Sequence, residues 1–135
     1  MRIANWATLA AAALLALAAG CQRLNFSKTY DLGPLEVKEL EFDAPAYAQR
    51  LTVTVTPTSS GVSAYLMKAA DKDAVDRALQ GDKEPAASLL LASRVSKGAA
   101  ETYSFEATVP AKTAYTLLIK PGPKPTQVKV TVVGR

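Results

Sequence analysis

The chain has 135 residues, 16 basic and 12 acidic, with 49% hydrophobic residues, one cysteine and no histidine. The charges are interspersed without runs of one sign, which argues against nucleic-acid binding, where clustered Lys/Arg beside aromatics are needed. The absence of histidine excludes Ser-His-Asp and Cys-His catalysis and removes the commonest transition-metal ligand.

The first element is not a domain element. Met1 to Asn5 carries one positive side chain, Arg2, and Trp6 to Ala19 is apolar except for Thr8. Gly20-Cys21 follows, and the composition then turns polar at Gln22-Arg23-Leu24-Asn25. This is the order of a secretory signal, residues 1–20. The apolar run falls short of the roughly 20 residues a spanning helix needs. Leu17-Ala18-Ala19-Gly20-Cys21 resembles the bacterial lipobox, with Ala18 where that motif has its aliphatic residue and Leu17 one position further out. The resemblance implies a lipid on the Cys21 sulfur, cleavage before it and acylation of the new amine. It also implies a palmitate-bearing lipoprotein of the cell envelope. By the sorting rule of enteric bacteria, Gln22 instead of aspartate points to the outer membrane, facing the periplasm or the cell surface. A lone cysteine in an exported domain forms no internal disulfide, and a thioether removes its free thiol.

Residues 21–28 are expected to be a tether and 29–135 a folded domain. Phe26, Tyr30 and Leu32 mark a first strand that ends at Gly33-Pro34. Leu35–Val37 and Leu40–Phe42 read as a second strand with a parity switch near Glu39, as a β-bulge would produce. Leu51, Val53 and Val55 alternate with threonines, the pattern of a strand with one buried face. A turn over 57–61 and a strand over 62–67 follow. Asp71–Gln80 has helical spacing, with Asp71 as a cap and Gly81 as a stop. Leu89–Ser93 is apolar on both sides and reads as a central strand. Tyr103 to Val109, Tyr115 to Ile119 and Val128 to Val132 alternate cleanly. Pro121–Pro125 is a stiff loop between the last two.

Seven to eight short strands with one inserted helix predict an all-β antiparallel β-sandwich. Leu51–Val55, Val62–Leu66, Phe105–Ala111, Tyr115–Ile119 and the closing valine strand resemble the pre-peptidase C-terminal and Golgi-dynamics-like sandwiches of secreted proteins. That resemblance implies a non-catalytic accessory or recognition module. No cofactor is expected.

Four groups of side chains could carry chemistry. Asp71, Asp73, Asp76 and Asp82 are the densest acids, but their spacing lacks the glycine and distal glutamate of a calcium loop, and a solvated helix start explains them. Tyr47, Tyr65, Tyr103 and Tyr115 with Phe42 could form a sugar platform, although strand aromatics usually serve the core. Tyr47 stands outside the alternation and is the candidate ligand-binding residue. Glu36, Glu39, Glu41 and Asp43 read as solvated charges that deter edge pairing and not as a glycosidase pair. Pro121–Pro125 is the loop an inhibitor would present. The expectation is a lipid-anchored, non-catalytic binding or scaffolding module. Its partners are the membrane through Cys21 and an envelope protein or polysaccharide. The alternatives are an accessory subunit or inhibitor of an envelope enzyme, and a carbohydrate-binding module.

Overall fold

A computed structural model describes residues 23–135. The expected signal segment 1–20, Cys21 and Gln22 lie outside the described residues. The described chain forms eight strands: β1 (Leu24–Leu32), β2 (Lys38–Phe42), β3 (Gln49–Pro57), β4 (Val62–Lys68), β5 (Ala92–Arg94), β6 (Tyr103–Val109), β7 (Tyr115–Pro121) and β8 (Thr126–Gly134). One helix, α1 (Lys72–Gln80), stands between β4 and β5. All strand pairs are antiparallel. The first sheet has the order β1-β8-β3-β6 and the second β2-β7-β4-β5. The all-β sandwich expected from the sequence is what forms.

The alternation of β3 and β8 dictates the shared core. Leu51, Val53 and Val55 of β3 and Val128, Val130 and Val132 of β8 are buried. They meet Leu40, Ala64, Leu66, Leu117 and Ile119 of the second sheet in one cluster. The opposite face of the first sheet carries Thr52, Thr54, Thr131 and Ser104 toward solvent, with Thr54 Oγ1 and Ser104 Oγ 2.8 Å apart across strands.

The second sheet is buried on both faces. Tyr65 and Met67 of β4 and Leu118 of β7 point away from the shared core. Val75 and Leu79 of α1 cover them, with Val37, Leu89 and Leu90 packed alongside. The helix is pinned at its start, where Lys72 donates to Glu39 of β2 at 2.8 Å. That hydrogen bond, foremost, holds the Glu39 carboxyl below its usual range and raises the Lys72 ammonium. Asp71 occupies the cap position without a side-chain bond to the helix. Gly81 ends the helix as expected, but the left-handed residue there is Asp82.

Three expectations change. Residues 24–28 belong to β1 and not to a tether. Residues 35–37 are not a strand, and the parity switch marks no bulge: Val37 packs on the outer cluster and Leu40 on the inner one. The segment 89–93 is not a central strand. A short 3-10 turn (Ala87–Leu89) leads into β5, three residues long and at the sheet edge. Leu89 and Leu90 pack on the outer cluster while Leu91 and Ala92 pack on the inner one, which is why the segment is apolar on both sides.

Edge strand β1 carries a lysine where its pattern would place an apolar residue. Leu24, Phe26, Tyr30 and Leu32 line the core side, and Lys28 sits in that same row opposite Val130. Its ammonium lies 5.5 Å from the Tyr30 ring centre, and that of Lys38 from β2 lies 4.9 Å from the same ring. Both distances suit a cation–π contact.

Candidate functional site

The chain crosses between sheets at both ends of the sandwich, so the ends are made of loops. One end gathers the start of β1, the end of β8, loop 43–48 and loop 110–114, because Leu24 pairs with Gly134, Leu51 with Gly134 and Gln49 with Val109. The loops at 33–37, 58–61, 95–102 and 122–125 form the other.

The first end holds a concavity of about 610 Å³, open to solvent, with Phe42, Tyr47, Tyr115, Arg23 and Arg135 in its wall. Phe42 builds its floor. Its ring stacks on Tyr115 with centres 5.0 Å apart and 9° between planes, and it meets Phe26 edge-on at 5.4 Å. These offset and T-shaped arrangements suit the ring quadrupoles. Burial, and secondarily the nearby Asp43 carboxylate, push the Tyr115 phenol up to about 12. Tyr115 is 2% exposed and its ring packs as part of the wall.

Loop 43–48 forms the rim. Its tip, Ala44-Pro45-Ala46-Tyr47-Ala48, carries no charge. The Lys112 amide donates to the Pro45 carbonyl at 2.7 Å and holds the loop in place. Tyr47 is 78% exposed. The aromatic group named from the sequence thus divides. Tyr65 and Tyr115 are buried in the two cores, and Tyr103 is half-buried and donates to the Val62 carbonyl at 2.7 Å. Tyr47 alone of them stands out. Of the aromatic residues grouped from the sequence, Phe42, Tyr47 and Tyr115 do share this concavity, its floor arising because β2 and β7 pair Phe42 with Tyr115.

The other end is braced tightly. The Leu35 amide donates to the Gly122 carbonyl at 3.0 Å, and the Gly61 amide to that of Gly98 at 3.3 Å. A side chain at Gly61 would fall 2.5 Å from the Ala99 carbonyl oxygen, so only glycine permits this approach. Ser59 Oγ donates to the Pro125 carbonyl at 3.1 Å. The loop 121–125 is therefore fixed, with Pro121 closing β7 itself. Leu35 is 65% exposed and has φ of +60°. For a bulky residue that is a strained conformation, worth about 1–3 kcal/mol.

The acids do not converge. Glu36 accepts from the Gly33 amide at 2.8 Å, Glu39 and Glu41 face Lys72, and Asp82 faces Lys120. Among the described residues, no three acids come together in a way that would hold a metal ion. No described helix is long and apolar enough to cross a membrane.

No known protein family matches the chain, and no curated protein matches it either. Among solved structures it is similar to Aeromonas hydrophila PliG, a periplasmic lysozyme inhibitor of g-type lysozyme. The TM-score is 0.52 at 12% identity, over 84% of this chain and 86% of that one. The likeness is one of fold.

Proposed function

We propose that the chain is a cell-envelope lipoprotein, held in the membrane by acyl groups on Cys21, whose sandwich binds a partner without catalysis. The observation that carries this reading is the position of the lone cysteine. It lies at the end of an apolar run and only three residues before β1 begins. A histidine-free chain with that cysteine capped has neither of the common nucleophile–base pairs. One acyl chain anchors marginally and two or more anchor stably. Mass spectrometry of the mature N-terminus should find acylated Cys21, and Cys21→Ser should release the protein from the membrane fraction. An unmodified thiol at Cys21 would sink the reading.

The partner we favour is an envelope protein engaged by the braced loops at the end away from Cys21. Leu35 is exposed there in a strained conformation, and Pro121–Pro125 is fixed beside it. A more specific reading, inhibition of a glycan-cleaving envelope enzyme, is supported by the fold shared with a lysozyme inhibitor over most of both chains. Turnover of a g-type lysozyme should slow when the soluble Cys21→Ser protein is added in excess. Leu35→Gly, which accepts the same φ without strain, should weaken that inhibition while leaving the fold as stable or more so. Unchanged turnover would set inhibition of this enzyme type aside.

A further inference from the structure

The early start of β1 has a geometric result. An extended chain advances at most about 3.6 Å per residue, so whatever path residue 22 takes, the Cα atoms of Cys21 and Arg23 lie within about 7 Å. Arg23 is in the wall of the Tyr47 concavity. Acyl chains on Cys21 would therefore bring this end of the sandwich, and no other, down to the bilayer.

The end is suited to that position. The uncharged tip Ala44–Ala48 projects a single large side chain, Tyr47, whose apolar ring and polar hydroxyl match the headgroup layer. Around it stand Arg23, Lys112 and Arg135, none of which forms an ion pair among the described residues; Arg50 is paired with Glu106. Asp43 and Glu41 also line the concavity, and Glu41 lies 3.9 Å from the Lys72 ammonium. The rim thus offers more unpaired cations than anions to lipid phosphates.

We propose that the Tyr47 end is a membrane-docking surface. Tyr47 sits among the phospholipid headgroups of the leaflet that holds Cys21, and Arg23 and Arg135 lie against their phosphates. This rests on acylation of Cys21. It assigns the Tyr47 concavity to lipid and leaves the Leu35 end facing outward for the partner.

Tryptophan fluorescence tests it cleanly. The one tryptophan, Trp6, lies in the signal segment, so Tyr47→Trp gives a mature chain with a single indole. Full-length protein purified from membranes is placed in vesicles of phosphatidylethanolamine and phosphatidylglycerol, with or without brominated acyl chains. The expected result for Tyr47→Trp is a blue-shifted emission that brominated lipid quenches. Leu35→Trp in the same vesicles should stay unshifted and unquenched. Adding Arg23→Gln and Arg135→Gln to the Tyr47→Trp chain should reduce the quenching while the protein remains in the membrane. If the Tyr47→Trp protein is no more quenched than the Leu35→Trp protein, and its mass shows acylated Cys21, the docking surface is overturned and the anchor stands. If a soluble peptidoglycan fragment shifts the Tyr47→Trp emission and lipid does not, the concavity takes sugar and the proposal is wrong. If Cys21 carries no lipid, anchor and docking surface fall together, and the mass spectrum identifies that case.

Discussion

The two sheets of this sandwich are built from similar strands yet live in different surroundings. The first buries one face and shows the other to water, so β3 and β8 alternate apolar with polar residues. The second is covered twice, by the first sheet inside and by α1 with the 87–91 segment outside. Its central strands β4 and β7 are buried nearly throughout. The strands record the difference, since β4 and β7 carry apolar residues on both faces where β3 and β8 carry them on one. What separates the two cases is an insertion between β4 and β5, a short helix joined by Leu89 and Leu90, that supplies a second cover.

This contrast can be broken experimentally, beginning with the core that both sheets share. Leu117 is fully buried between them. Leu117→Ala should destabilise by about 3 kcal/mol, read as a lower midpoint in urea unfolding. A loss under about 1 kcal/mol would mean that the sheets do not pack as described.

The outer cover should come next. Leu79 of α1 is 5% exposed, and Leu79→Ala should cost about 2 kcal/mol. A negligible change would show that the helix lies on the sheet without stabilising it. Amide exchange should then also reveal β4 opening as readily as β3, contrary to its double cover.

Alkaline pH probes both covers through their tyrosines. Tyr115 in the shared core is raised by burial from 10.0 to about 12. Tyr65 under the helix is raised by burial and by the Glu84 carboxylate. The neutral phenol is the folded form, so above pH 10 the unfolded chain releases protons that the folded chain retains. Stability is therefore complete below pH 10 and declines as pH rises toward 12. Tyr115→Phe should make that decline shallower and leave the shares of Tyr65 and Tyr103, whose phenols burial also raises. A stability profile level through this window would contradict the burial of both rings.

The smallest effect belongs to the open face of the first sheet. Thr54→Ala removes an exposed hydroxyl pair with Ser104 and should change stability by no more than about 0.5 kcal/mol. A larger loss would indicate that this face is covered in the working protein.

The first sheet was legible in the sequence because a one-sided strand writes its orientation in period two. Val53 against Thr54 is enough to say which side is buried. The second sheet was legible as strands but not as a doubly covered layer. Leu118 looked like an outward position between Leu117 and Ile119, and only the helix above it explains its apolar character. The segments 37–40 and 89–92 misled for one reason. Each passes from one core to the other, so residues facing opposite covers look like a single strand. Tyr47 was legible because it breaks the alternation. The sequence also grouped Phe42 and Tyr115 with it, but did not say which of the tyrosines stay with Tyr47, since that follows from a strand pairing far apart in sequence.

Lys28 and Lys38 have a consequence for how copies of the protein can pair edge to edge. Each stands on an edge strand, and both ammonium groups turn to Tyr30. A neighbour that added its own edge to β1 would have to pack beside the Lys28 charge. The nine-residue edge would otherwise be an open template for stacking copy upon copy. Burying either charge would oppose such pairing, as charged side chains on edge strands do.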